Sequence, residues 1–527
     1  VILGESRAPT PQDKSSRVTL DDMFRRAVAR KPESPALIDA PNRESFTQGA
    51  PRHLTYAQAD RMVSAIAGRL RGMGLPVDSI VGIQLPNSVE SILTLLGVLR
   101  AGMIAAPMPM LWRRAEAVAA LTRIDAKVLI TCGRIGTFDS SDHAMHVAAE
   151  TFPIRYVCAF GSDLPDGIVS LDELFTVDTP EPVPPLDREQ TSNPASHTAV
   201  ITWDVTPDGL VPVARNHSEL LAGGIAVVLE SRFEQDTTIL CATPPTSFAG
   251  ISLAVLPWLL VGGTLCLHQP FDAHVLAAQL RSRACRVVVL PGPLVGRLTD
   301  AGHLGTRYGL KTVIALWRTP ERLATAAPWC EPAPHLVDVQ AFGEVALFAA
   351  PRAALGRPAM IPVGRVTAPR DVSGAVFVVE LARTAAGTLA MRGPMVPKHA
   401  FPLNADRGTQ PFFKVIPNGF VDTGYACRVD KTAGTLVVTG PPAGIVSIGG
   451  YRFALRDLED LVSQAHVSAS IAALPDAFSG QRLAGAAPDR TAVQQALTLM
   501  GANPLIVDAF RDRRVATAPP QAISAVA

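Results

Sequence analysis

Residues 54–109 read LTYAQADRMVSAIAGRLRGMGLPVDSIVGIQLPNSVESILTLLGVLRAGMIAAPMP, and this stretch decides the fold. Thr55 is placed to cap a helix whose apolar residues, Met62, Val63, Ile66, Ala67, Leu70 and Met73, recur at helical spacing until Gly74 stops it. Val81, Ile83 and Leu85 then alternate as a strand. Pro86-Asn87-Ser88 turns the chain into a second helix carrying Ile92, Leu93, Leu96 and Leu99, which ends at Ala101-Gly102. Met103–Ala106 starts another strand ahead of Pro107 and Pro109. Strand, helix and strand at this spacing predict parallel strands joined by right-handed crossovers.

The same pattern extends outward. Lys127–Thr131 and Ile154–Ala159 read as strands, and Val287–Leu290 as an apolar, β-branched strand before Pro291-Gly292-Pro293. Between them the acidic, proline-rich run VDTPEPVPPLDREQTSNP (177–194) reads as a surface linker. From about residue 360 the elements shorten: Val376–Glu380, Thr388–Arg392 and Thr435–Thr439 are strands separated by Gly and Pro turns. Residues 445 to about 514 mix short strands with a helix at Leu455–Gln464. The expectation is an α/β chain: a large N-terminal domain (1–440) of parallel-rich sheets with helices and a β-rich subdomain, then a small α+β C-terminal lid (441–515). Residues 516–527 read as a frayed tail, and no internal repeat is found.

The 527 residues are 48% hydrophobic and 18% charged, a globular composition. A net charge of +1 without a basic run points away from nucleic acid as a partner. Seven cysteines, an odd set with no Cys-x-x-Cys pair, argue against a disulfide framework or a zinc site and fit a reducing cytoplasm. Residues 1–10 lack the layout of a signal peptide. The uncharged run Gly250–Leu267 approaches the length of a membrane span. Pro257 and Gly262-Gly263 interrupt it, so it reads as a buried helix, a Gly-Gly stop and a short strand at Thr264–His268, with no membrane span.

The stretch at 54–109 resembles the N-terminal region of the AMP-forming acyl-CoA synthetases. So do GTLAMRGPMV (Gly387–Val396), GFVDTGYACRVDKTAGTLVVTG (Gly419–Gly440) and GGYRFALRDLEDLV (Gly449–Val462), in the family's order. The resemblance implies an acid–thiol ligase using ATP, Mg and CoA. Such an enzyme joins a carboxylic or fatty acid to AMP and passes the acyl group to a thiol of CoA or a carrier protein. Carboxylate and triphosphate are both negative, so the chemistry needs backbone donors, a cation, a metal-binding carboxylate and a ribose anchor.

Each part is altered in this chain. Where the family has a glycine-rich phosphate loop ending in lysine, the residues are Trp203 to Pro212. Thr206 and Gly209 remain as cofactor-binding candidates, Pro207 lacks an N–H, Val211 replaces the lysine, and Asp204 and Asp208 would repel phosphate. Arg215 is the candidate replacement cation, or else a surface arginine at a helix start. The adenine-and-metal motif is matched by Ala341-Phe342-Gly343-Glu344. Phe342 and Gly343 are then nucleotide contacts and, given a two-residue deletion, Glu344 a catalytic, metal-holding carboxylate; without the deletion Ala346 takes the glutamate's place, and the alternative for the whole match is a strand end with a turn glycine. The ribose motif reads Thr423-Gly424-Tyr425, and a phenol cannot replace the carboxylate that accepts two ribose hydroxyls; Tyr425 is expected to stack on the nucleotide or to fill its pocket. Pro441 and Pro442 stiffen the hinge. Lys431 is the last lysine, which leaves Arg511, Arg513 or Arg514 to stand in for the family's C-terminal lysine. On the acyl side, Ser247, Phe248 and Gly250 are the substrate candidates, with Ser247 either opening the pocket or serving as a turn residue. Two expectations follow: a ligase with impaired adenylation, or a non-catalytic pseudoenzyme that binds acyl-CoA or acyl-adenylate or scaffolds a partner.

Overall fold

The computed structural model describes residues 17–175, 183–184, 193–306, 309–329, 333–369, 374–397, 401 and 414–511. Residues 1–10, most of 177–194, Cys330, Arg513, Arg514 and the tail 516–527, all singled out above, lie outside them.

Thr55 caps the helix Tyr56–Gly72 as the sequence predicts, in a capping box closed by Gln58. The strands Ile80–Ile83 and Ile104–Pro107 pair in parallel around the helix Val89–Arg100. They belong to a seven-stranded sheet that runs from Gly209–Asn216 through Thr198–Thr206, Ile104–Pro107, Ile80–Ile83, Val128–Cys132 and Tyr156–Phe160 to Val169–Ser170. All neighbours are parallel except the edge hairpin Thr198–Thr206 with Gly209–Asn216.

A second, eight-stranded sheet has six parallel central strands: His335–Phe342, Thr312–Trp317, Val287–Pro291, Ile239–Cys241, Leu265–Leu267 and Pro35–Ile38. Helices sandwiched between the two sheets make the principal core. In Val89–Arg100 every residue but Leu99 is buried. Its charges survive there because they are paired: Glu90 with Arg43 at 2.8 Å and Arg52 at 2.6 Å, Arg100 with Asp21 at 2.8 Å and Asp60 at 2.7 Å.

Gly250–Leu267 folds as read, with one addition. A π-helical turn, Ile251–Val255, precedes the helix Leu256–Val261, which left-handed Gly262 stops before the strand Leu265–Leu267. No helix among the described residues is long and apolar enough to cross a membrane. The six described cysteines are buried free thiols. Inside the run read as a surface linker, Val183 is buried, and its carbonyl accepts from Arg25 at 2.9 Å.

An antiparallel sheet containing Val376–Arg383, Thr388–Arg392, Phe420–Asp430 and Thr435–Gly440 forms the β-rich part. Beyond Gly440 a small unit follows. Its four antiparallel strands, Tyr451–Ala454, Ile445–Ile448, Gly480–Ala486 and Ser470–Asp476, pack with helices Leu455–Ala465 and Arg490–Leu499 around a separate core. This lid sits against the large part. Arg322 donates to the Phe478 carbonyl at 2.7 Å, Arg114 to the Leu499 carbonyl at 2.8 Å, and the Leu111 N–H to the Tyr451 hydroxyl at 3.1 Å.

Candidate active site

Parallel sheets gather ligands outside the carboxyl ends of their strands, and a cavity lies there. It measures about 550 Å³. From the eight-stranded sheet come Ala242–Pro244 after one strand, Gln269 after the next, Pro291 and Arg318 at the ends of two more, and Ala341, Gly343 and Glu344 at a fifth. The other sheet contributes Pro109–Arg113 and Trp203–Val205, and the lid hairpin closes the space with Gly449–Arg452. Aromatic rings line part of the wall: Phe46, Trp112, Phe138 and Trp203, with Trp112 edge-on to Trp203 at 5.4 Å.

The run Trp203–Pro212 is an antiparallel hairpin rather than an open loop. Trp203 faces Pro212 and Thr206 faces Gly209 across a Pro207-Asp208 turn. Its backbone is therefore spread along two paired strands instead of curling around a phosphate, and the Val205 N–H is taken by the Asp204 carboxylate at 2.8 Å. Thr206 and Gly209 face each other at the turn, Thr206 Oγ donating to the Gly209 carbonyl at 3.3 Å, and neither is among the cavity's lining residues. Asp204, from the same strand, does line it. Its carboxylate pairs with Arg452 of the lid and accepts the Glu344 N–H at 2.8 Å. Gly343, at φ 56°, makes this possible, since a Cβ there would overlap both the Asp204 carboxylate and the Arg452 guanidinium.

Arg215 is not a surface residue, which corrects that reading: it is 1% exposed. It shares the inward face of its strand with Val211 and Val213, and that alternation was the signal for its burial. Its guanidinium stacks 3.9 Å from the Phe248 ring centre, donates to the carbonyls of Glu344 and Val345, and lies 3.9 Å from the Glu344 carboxylate. Glu344 lines the cavity, but its Oε2 already accepts the Phe248 N–H at 2.8 Å. Burial raises the pKa of Glu344 and lowers that of Arg215 to about 10.

Phe342 is fully buried, edge-on to Tyr425 at 5.5 Å between ring centres. Tyr425 is buried too, and burial pushes its phenol up to about 12. The Thr423 hydroxyl donates to the Leu389 carbonyl at 2.7 Å. Ser247 caps the short helix Phe248–Gly250 and also faces the cavity. Gly250 is a close-packing glycine, because a Cβ there would overlap the Pro244 carbonyl. Arg511 pairs with Asp508 at 3.0 Å and is not among the lining residues.

The structure therefore brings Ser247, Gly343 and Glu344 to the cavity and keeps Thr206, Gly209, Arg215, Phe342 and Phe248 behind or away from it. Sequence reasoning missed Arg318, Tyr451, Arg452 and the aromatic wall. Of these, Arg318 was marked by its place at the end of a parallel strand. A triphosphate with its magnesium ion needs free backbone donors, an uncommitted cation and an available carboxylate. Here the loop is a hairpin that carries the Asp204 carboxylate, Arg452 is engaged by Asp204, and Glu344 is held by a backbone N–H; Arg318 alone meets one of the three needs, so these residues do not fit that group.

The profile of the family described as AMP-binding enzyme matches residues 24–345, more than half of the chain, and the protein belongs to that family. A 2-hydroxy-7-methoxy-5-methyl-1-naphthoate–CoA ligase of Streptomyces carzinostaticus is 25% identical, over 90% of this chain and 86% of its own. A salicyl-AMP ligase / salicyl-S-ArCP synthetase of Mycobacterium tuberculosis is also 25% identical, over 89% of this chain and 81% of its own. Among solved structures, an artificially fused adenylation-PCP di-domain from Klebsiella oxytoca shares the fold, with a TM-score of 0.64, 18% identity and 92% and 91% of the two chains covered.

Proposed function

We propose that this AMP-dependent ligase relative binds a carboxylic acid, or its acyl conjugate, between the large part and the lid, and that its ATP-dependent adenylation is impaired. One observation carries the reading. Asp204 places a carboxylate in the would-be phosphate loop and engages both the lid cation Arg452 and the Glu344 N–H. Losing one preorganised donor typically removes about 2.7–4 kcal/mol of transition-state stabilisation. The aromatic wall, with the naphthoate and salicylate named for the two relatives, favours an aryl acid over a fatty acid.

The test pairs ATP–pyrophosphate exchange with thermal shift over salicylate, 1-naphthoate, short and long fatty acids, their CoA thioesters and AMP. Exchange is expected to stay at the level of the enzyme-free control, while an aryl acid or its thioester stabilises the fold. At a hundredfold excess over Kd the gain is about 2.7 kcal/mol. Brisk exchange with any acid overturns the impairment; a flat thermal profile across the panel overturns acid binding.

A second reading, a non-catalytic protein that senses an acyl conjugate or partners a carrier protein, is favoured by the hinge. Pro442 packs against Gly424, and Gly444 lies beside Pro207 of the hairpin turn. Pro442 in this joint, with its fixed φ, opposes lid rotation. Co-purification of a loaded carrier protein without exchange activity would separate this reading from the first.

A further inference from the structure

The cavity's charges leave one cation over. Five charged side chains line it: Arg113, Arg318, Arg452, Asp204 and Glu344. Arg452 is paired with Asp204. Arg113 stacks 3.7 Å from the Phe138 ring centre and donates to the carbonyls of Met110 and Trp112, both at 3.1 Å. Glu344 is held by the Phe248 N–H, with Arg215 behind it. Neither Arg113 nor Arg318 has a carboxylate within 4 Å among the described residues, but Arg113 is held by its ring and carbonyls, whereas the bond of Arg318 is to Ser247 Oγ, from Nη2 at 2.7 Å. A guanidinium carries five N–H donors, and an enclosed cation is costly without an anion.

Ser247 adds a second donor. Its Oγ accepts from Arg318 at 2.7 Å and from the Gly250 N–H at 3.1 Å. Both lone pairs are then used, so the hydroxyl proton must point to a further acceptor. Ser247 and Arg318 both line the cavity that Phe46, Trp112 and Phe138 wall.

We infer that Arg318 and Ser247 form a two-donor seat for a carboxylate, and that the cavity takes an intact aromatic monocarboxylate with its ring against that wall. A multiply charged phosphate is disfavoured because Asp204 and Glu344 face the same space, whereas one carboxylate balances the lining's excess of three arginines over two carboxylates. The volume, about 550 Å³, suits a one- or two-ring acid. The seat rests on the acid-binding reading above and names the residues that carry it.

Titration calorimetry on the full chain tests it, with 1-naphthoate, the uncharged 1-naphthamide and AMP as probes. Wild type is expected to bind naphthoate at least tenfold tighter than the amide. Arg318→Met should weaken naphthoate at least tenfold and leave the amide unchanged. Arg318→Lys should restore part of the loss, and Ser247→Ala should cost several-fold. The acid-against-amide comparison needs only wild type, so a variant that misfolds does not spare the proposal. Equal binding of acid and amide, undiminished naphthoate binding by folded Arg318→Met, or Arg318-dependent binding of AMP in preference to naphthoate overturns the seat. If wild type binds no acid of any kind, the acid-binding reading falls with it; if it binds acids with Arg318 silent, only the seat falls.

Discussion

At the scale of single residues, the same chemistry acts differently according to burial. Arg215 and Arg318 are both arginines at strand ends, yet one braces the backbone and the other faces the cavity. Arg215 holds two carbonyls and stands behind Glu344. Removing it leaves those groups buried without their partner, a loss of about 3–5 kcal/mol when one side of a buried pair is deleted. Arg215→Met is therefore expected to lower the unfolding free energy by about that amount in a denaturant titration; a change under about 1 kcal/mol would return it to the class of surface arginines.

At the scale of elements, capping decides how the cavity wall meets the lid. Helix Arg114–Arg123 opens with a capping box in which Glu116 accepts the Arg113 N–H at 2.9 Å, and the Ala115 N–H of the same turn donates to the Gly501 carbonyl of the lid at 3.4 Å. Burial there pushes the Glu116 carboxyl from its ordinary 4.5 up to about 7. A carboxyl raised in the folded state binds its proton more tightly there than when unfolded. Its stabilising contribution is full below about 4.5 and is lost as pH rises through about 7. Glu116→Gln keeps an acceptor but cannot ionise. Its melting temperature should exceed that of wild type by a few degrees at pH 8, with the difference vanishing below about pH 4.5; a pH-independent difference would contradict the assignment.

Across the whole molecule, the lid is tied to the large part through the Asp204–Arg452 pair, whose side chains are 7% and 12% exposed. Pairs this buried are costly to break from one side. Arg452→Met should loosen the hairpin Ile445–Ala454, raising hydrogen exchange at its amides at least tenfold while the distant strand Ser470–Asp476 keeps its protection. Uniform loss across the lid would mean unfolding rather than undocking.

The alternation of helix and strand at 54–109, the Gly-Gly stop before Leu265–Leu267 and the switch to short antiparallel strands near 360 were all legible in the sequence. They depend on local periodicity, capping and glycine conformations, which neighbours in the chain determine. The departures from the phosphate loop were legible too, as substitutions of glycine and lysine. The roles of the replacements were not. Asp204 meets Arg452 across 248 positions, Arg215 meets Glu344 across 129, and Arg318 meets Ser247 across 71. Which charges are paired and which is left facing the cavity depends on how two sheets and a lid converge. Periodicity carries no record of that convergence, because an arginine at a strand end reads alike whether its guanidinium ends in solvent, against a carbonyl or in a cavity. By itself the sequence determined the fold class and the family; only the tertiary structure decided which charges around the cavity pair with one another.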